Sequence, residues 1–386
     1  MDIFERAKEI EPYIIERRRY YHAHPELSGE EYETTKSIAA DLQAMGIEPQ
    51  LFRNHTGLTA EIHGKQPGKT LVLRADIDAL NVQEQTGLPF AAQNGIMHAC
   101  GHDCHIAMQL GAAKILNEMR DDLKGTVRLL FQPAEEGAGG SQWAIGEGAI
   151  EGADAIYGTH VWGTVQAPKI DVSPGFRMAA SNRFRLVIHG VSAHAAEPHL
   201  GVDAITAACS IVMNLQMLVS RFNSASDPLV LTIGTFSGGT RYNCIPDRVQ
   251  IEGTIRHFRT DHSIEEEMHR IIGGVADAMK VEWELDYIYL NYPVNNSSAD
   301  LVRICRNAAS QLFGDDVFAD MPVLMSSEDF SWYQQQIPGI FTYIGSSNPE
   351  KGITGTNHQS TYDVDEDILK RGAALAARFA VDFLDQ

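Results

Sequence analysis

Apolar and polar positions along the chain fall into two periods, and together they predict a succession of elements. Thr70-Leu-Val-Leu-Arg-Ala-Asp76 and Thr126-Val-Arg-Leu-Leu-Phe131 are short, nearly continuous apolar runs, the pattern of strands buried on both faces. Residues 106–118 between them have helical spacing, and Asp154-Ala-Ile-Tyr-Gly-Thr-His160 reads as a further strand after a Gly-rich loop and helix at 137–150. Upstream, the chain reads as a helix ending near His24-Pro25. Ser28-Gly-Glu-Glu31 then reads as a capping box that opens a second helix to about Met45, stopped by Gly46. Strands alternating with helices predict an α/β sheet.

The pattern changes near Pro174 to Asn182. From there it reads strand (183–189), helix (201–222), strand (228–236), strand (248–258), helix (263–279), strand (281–289), the βαββαβ order of a ferredoxin-like unit. Helical stretches at 298–313 and 365–384 and a strand at 339–344 extend the first sheet. The expected fold is therefore an α/β domain, residues 1–182 and 292–386, with a mixed sheet covered by helices. Residues 183–291 are expected to form a small inserted domain.

At 386 residues the chain exceeds the roughly 250 to 300 at which single cores stop growing, which agrees with two domains. A formal charge of −20 opposes binding to nucleic acid or anionic membranes. The charged, amphipathic N-terminus lacks the apolar stretch of a secretory signal, and no apolar run approaches the roughly 20 residues of a spanning helix. A cytoplasmic protein is expected. Cys100, Cys104, Cys209, Cys244 and Cys305 are odd in number and scattered, so reduced thiols are expected, with Cys209 packed in a core.

Candidate chemistry gathers in Met97-His-Ala-Cys-Gly-His-Asp-Cys-His105 and Gln132-Pro-Ala-Glu-Glu-Gly137. Cys100 and His102 can face one point across the turn that Gly101 permits; alone, a buried cysteine and a helix-capping histidine account for them equally well. Adjacent Glu135 and Glu136 repel one another unless a cation or separate roles compensate. They follow a strand that ends in Pro133, where α/β sites form. His160, closing a strand, and His358, in a polar loop, would each read as structural if alone. In combination, a thiolate, imidazoles and a carboxylate can hold divalent ions, while a second glutamate takes a proton from water. His22 and His24 read as structural at a helix end, and Cys104 and His105 as turned away from Cys100.

Together with His22-Ala-His-Pro-Glu26, Arg74-Ala-Asp-Ile-Asp78, Gly158-Thr-His-Val-Trp162, His194-Ala-Ala-Glu-Pro-His199 and Asn357-His358, these segments resemble the M20 metallopeptidases over nearly the whole chain. The resemblance is to the amidohydrolase branch of hippurate hydrolases, auxin-amino acid conjugate hydrolases and N-acetyl-diaminopimelate deacetylases. Other branches carry a His-X-Asp segment with a bridging aspartate; Arg74-Ala-Asp76-Ile-Asp78 lacks that histidine, and a Cys-Gly-His segment is present instead. The resemblance implies two divalent ions per chain, zinc or manganese, with cobalt or nickel also accepted. It implies Cys100 as bridge, His102 and His160 completing one site, Glu136 and His358 the other, and Glu135 as general base on a metal-bridging water. Asp78 is expected to orient a histidine ligand, with a structural carboxylate as the alternative. His194, with His199 second, is expected to stabilise the oxyanion. Asn243 is expected to contact substrate, and Arg256 to pair with a substrate carboxylate.

The implied activity is hydrolysis of the amide bond of N-acyl amino acids, acetyl or aryl-acyl, by a homodimer or higher homo-oligomer. The resemblance makes residues 1–182 and 292–386 the catalytic domain and residues 183–291 an inserted lid or dimerisation domain. A dipeptidase or carboxypeptidase with the same machinery is the enzymatic alternative. A metal-stabilised binding protein is the non-catalytic one. A structural zinc cage disagrees with ligands spread over roughly 260 positions.

Overall fold

The computed structural model describes residues 1–137 and 139–386. The chain folds as two compact units, one of Met1–Arg177, Asn295–Pro322 and Asp329–Gln386, the other of Met178–Val294 with Val323–Glu328. The second unit starts before the expected position 183 because its first strand, Ala180–His189, begins earlier. It also gains 323–328, which no local pattern marks; backbone bonds from Ala179 N–H to the carbonyls of Leu324 and Ser326 tie that segment in.

Unit one is built on a seven-stranded sheet in the order Pro49–Leu51, Leu58–His63, Lys124–Gln132, Gln66–Asp76, Ala155–Gln166, Gly339–Ser347, Ile170–Asp171. The central pairings are parallel and the edges antiparallel, so the sheet is mixed. Parallel strands need cover on both faces, which is why Leu71 to Asp76 are all buried. The helices Glu11–Ala23, His102–Glu118 and Leu369–Leu384 meet at Gly111. A Cβ there would lie 2.8 Å from Ile14 and 2.9 Å from Ala373.

Three local expectations for this unit change. The N-terminal helix is two helices, Ile3–Glu9 and Glu11–Ala23, the second with Pro12 in its first turn, where a missing N–H costs nothing. The helix expected in 137–150 is only Gly140–Gly146. The capping box does not form: Glu31 holds the N-cap position of Tyr32–Ala44 without a side-chain cap bond. The Glu26 carboxylate instead accepts from the N–H groups of Glu33 and Thr34, and the Ser28 hydroxyl donates to Asp78.

Unit two is an antiparallel sheet in the order Leu229–Gly238, Arg248–His257, Ala180–His189, Glu282–Asn291, with the helices Ala204–Met217 and Ser263–Met279. Phe184, Leu186, Ile188, Ala207, Ile211, Val249, Ile251, Met268 and Ile272 form its core. Cys209, expected inside, is exposed, because the helix buries the stripe Ala204, Ala207, Ala208, Ile211 and Leu215 and Cys209 lies off it. This helix also corrects the expectation about apolar runs. With its continuation to Phe222 it is 19 residues long, with a mean hydropathy of 1.3 and 28% burial over its most apolar 18 residues, long and apolar enough by length and composition to cross a membrane.

Candidate metal centre

Two of the parallel strands of unit one deliver candidate residues just beyond their C-terminal ends, where α/β sheets build sites. Gln66–Asp76 leads to Asp78 and Lys124–Gln132 leads to Glu135 and Glu136, whereas His160, expected to close its strand, lies in the middle of Ala155–Gln166, which runs on past it. His102 opens the helix His102–Glu118 directly after Gly101, whose φ is +90° and where a Cβ would lie 2.4 Å from Val161 Cγ2. Only glycine fits that left-handed turn between two candidate ligands. His358 also has a positive φ, 70°, and its N–H donates to the Ala99 carbonyl at 2.7 Å.

Five of the expected residues converge. Cys100 Sγ lies 3.4 Å from His160 Nε2 and 3.3 Å from His358 Nε2. Glu136 Oε1 lies 3.3 Å from His358 Nε2 and 3.9 Å from His102 Nε2. The ligand atoms of Cys100, His102 and His160 lie within 4.8 Å of one another, as do those of Cys100, Glu136 and His358. These are two candidate metal-holding triads sharing one sulfur. Glu135 forms a further such group with His102 and Glu136. The backbone N–H of Asp329 donates to Glu135 Oε1 at 3.4 Å.

Hydrogen bonds set the tautomers so that bare nitrogens face this cluster. His102 Nδ1 donates to the Asp78 carbonyl at 2.9 Å, with Asp78 Oδ1 at 3.1 Å, and His160 Nδ1 donates to the Val161 carbonyl at 2.7 Å. In the neutral form of each ring, Nε2 is then the lone-pair atom, the form a bound cation would favour. His102 Nε2 is buried without a hydrogen-bond partner among the described residues, and Glu136 Oε1 is buried with the His358 imidazole 3.3 Å away. An orphaned nitrogen beside a carboxylate oxygen and a thiol fits a divalent cation, which needs such lone pairs and compensates the lost hydration.

Without a cation, the electrostatics favour the protonated forms of Cys100 and His102. Burial, then Glu136 and Glu135, push the Cys100 thiol well up. Burial would lower the His102 pKa, but Asp76, Asp78 and Glu136 outweigh it and hold it at about 10. Without a cation, the surrounding carboxylates draw protons to the cluster; a bound cation would reverse that preference.

Asp78 does more than orient a histidine, since its Oδ2 also accepts the Glu136 N–H at 2.9 Å and so spans both triads. His105, expected to turn away from Cys100, makes no hydrogen bond to that sulfur but borders the site from another side. Its Nδ1 meets Asp76 Oδ1 at 2.5 Å, its Nε2 accepts the Val161 N–H at 2.9 Å, and its ring lies 4.7 Å from that of His160 and 5.4 Å from that of His102. Sequence reasoning also missed Asn357 as an individual residue. Its amide donates to the carbonyls of Cys100 and Val161 at 3.1 Å and accepts the Gly163 N–H at 2.9 Å. His22 is structural but not inert: it is buried between Asp103 at 2.9 Å and Glu84 at 3.0 Å. His24 is exposed, and Cys104 is buried in the core.

The remaining candidates belong to unit two. His194 lies in the strand Ala193–His194, paired with Cys244–Ile245, and its Nδ1 accepts the Ala196 N–H at 3.1 Å, which leaves the proton on Nε2. His199 is exposed in the turn Pro198–Leu200. Asn243 Oδ1 is buried without a partner among the described residues. Arg256 donates to Ser327 Oγ at 2.9 Å, and burial lowers its pKa.

Residues 72–382 match the pattern of peptidase family M20/M25/M40. The chain is 39% identical to N-acetylcysteine deacetylase of Bacillus subtilis, over 96% of this chain and 97% of that protein. It is 36% identical to thermostable carboxypeptidase 1 of Saccharolobus solfataricus, over 99% of both. A solved structure from Bacillus subtilis, described as a dinuclear metal binding peptidase from the M20 family, superposes with a TM-score of 0.85 at 36% identity, covering 98% of this chain and 99% of that one. Sequence pattern, relatives and fold agree, and the chain belongs to peptidase family M20/M25/M40, a family of hydrolases.

Proposed function

We propose that the protein hydrolyses the amide bond of N-acyl amino acids, holding two divalent metal ions between Cys100, His102, His160, Glu136 and His358. The observation that carries this reading is the pair of triads sharing the Cys100 sulfur, with Glu135 beside them. Bound there, two divalent cations supply Lewis acidity, polarising an amide carbonyl and lowering the pKa of water. Glu135 takes the proton of the attacking water and passes it to the leaving amine nitrogen, so one carboxylate serves as base and then as acid. Asp78 holds His102 and the Glu136 backbone in place for both ions.

The unit-two residues complete the reading. His194, protonated on Nε2, donates to the oxyanion, with His199 the second candidate. Asn243 offers its unpaired oxygen to substrate. Arg256 is half-buried with no carboxylate partner among the described residues, which supports a role in pairing with the carboxylate of the amino acid. Zinc or manganese is the proposed metal, since the Cys100 thiolate would favour zinc and the nitrogen and oxygen donors would accept either. A homodimer is supported by the edge strand Leu229–Gly238, which carries neither charge nor proline to block pairing. Five free cysteines, one of them a proposed ligand, support a reducing, cytoplasmic setting. The carboxypeptidase relative favours a second reading, removal of a C-terminal residue from peptides by the same machinery.

Activity of the metal-loaded protein against N-acetyl, N-benzoyl and indole-acetyl amino acids, alongside dipeptides, separates the two. Turnover confined to dipeptides would overturn the first reading. Glu135→Gln is expected to keep both metals and lose on the order of a hundred- to ten-thousandfold in kcat. Undiminished turnover would remove the general-base assignment.

A further inference from the structure

Glu31 occupies the N-cap position of the helix Tyr32–Ala44 but makes no cap bond, so its carboxylate is directed elsewhere. Glu26 supplies the cap in its place. The Glu31 side chain is fully buried and meets no cation among the described residues. Its carboxylate is satisfied by neutral donors: Oε1 accepts the N–H of Gly29 at 2.9 Å and of Ala134 at 2.8 Å, and Oε2 accepts the Thr56 hydroxyl. A buried, unpaired carboxylate is expensive, so its retention needs a reason.

The Ala134 bond supplies one. Ala134 is one of three non-glycine residues with positive φ among the described residues, at 54°, and it directly precedes Glu135 and Glu136. An alanine in the left-handed region is disfavoured and persists only where its surroundings hold it. Ala134 is held at both ends, its N–H by Glu31 and its carbonyl by the Gly140 N–H at 3.1 Å.

We propose that Glu31 is a positioning residue that holds the left-handed turn at Ala134 and thereby aims the Glu135 carboxylate. This inference rests on the general-base reading of Glu135. Its chemistry is hydrogen bonding alone; Glu31 exchanges no proton with substrate.

Glu31→Ala and the double variant Glu31→Ala/Ala134→Gly test it, with metal content, KM, kcat and amide hydrogen exchange at residue 134 in the metal-free protein as readouts. In Glu31→Ala, kcat is expected to fall on the order of a hundredfold, the scale of an ångström of misplacement, with two metals and KM retained and exchange at residue 134 accelerated. Glycine adopts the turn without a Cβ, so the double variant is expected to regain roughly tenfold of that loss. If Glu31→Ala does not fold, Glu31→Asp keeps the charge, shortens the reach to Ala134 and is compared in the same way. Unchanged kcat, a loss of kcat matched by loss of metal, or no recovery on adding glycine would each overturn the proposal. Glu135→Gln distinguishes the two levels. If that variant is inactive while Glu31→Ala is fully active, only the positioning role fails, whereas an active Glu135→Gln removes the general base itself.

Discussion

At the scale of single residues, the centre is an assembly of lone pairs aimed by their neighbours. Asp78 is the clearest aiming group, because one carboxylate faces His102 Nδ1 with Oδ1 and accepts the Glu136 N–H with Oδ2. Asp78→Asn is expected to lower metal affinity by roughly ten- to a hundredfold, measured by calorimetric titration of the metal-free protein. Wild-type affinity in that variant would reduce Asp78 to a structural carboxylate. Cys100 stands in both triads, so Cys100→Ala is expected to leave fewer than two ions per chain by elemental analysis. The five proposed ligands and Glu135 could be named from the sequence only through the family resemblance of their segments, since His160 and His358 taken singly read as structural. His105 and Asn357 were not singled out, since an imidazole beside a ligand and an amide across three segments act through neighbours brought together only by folding.

At the scale of elements, turns decide where those atoms point. Gly101 lets a left-handed residue join the turn at Ala99 and Cys100 to the helix His102–Glu118. Gly101→Ala meets both the left-handed penalty of about 1–2 kcal/mol and the contact with Val161, so a lower Tm and weaker metal binding are expected together. A Tm fall without any change in metal binding would separate the turn from the centre. The apolar periods predicted most elements within a few residues, because a strand buried on both faces or a striped helix is written into adjacent positions. They failed where a side chain answered to a distant partner. The Ser28 to Glu31 segment has the composition of a capping box, but Ser28 turns to Asp78 and Glu31 to Ala134. Cys209 sits in an apolar helix whose burial is set by the sheet beneath it.

At the scale of the whole molecule, each unit has its own core and its own response to conditions. In unit two, His257 accepts the Arg259 N–H on Nδ1 at 3.1 Å, and its Nε2 lies 2.9 Å from the Asn182 amide. Burial, aided by Arg259, lowers its pKa to about 4. Its folded pKa lies below the usual value near 6.5, so its contribution to stability is fully present above that value and is lost as pH falls toward about 4. Denaturant midpoints of the wild type are therefore expected to fall over that window, with a smaller fall in His257→Gln. Equal pH dependence in the two would assign the effect to other groups. Unit one should respond to metal instead. A chelator is expected to lower its apparent stability, by about 2.7 kcal/mol per site when free metal had stood at a hundred times its Kd.

Composition and local period, read from adjacent residues, specified an α/β protein with an inserted βαββαβ segment and the residue types of a metal hydrolase. Those properties depend on short-range burial patterns and on intrinsic side-chain chemistry. Tertiary structure alone decided which carboxylates serve as aiming groups, which histidine lies beside the ligands, and that a buried glutamate reaches a left-handed alanine about a hundred positions away. Hydrogen bonds and desolvation act through space, and sequence distance carries no record of them.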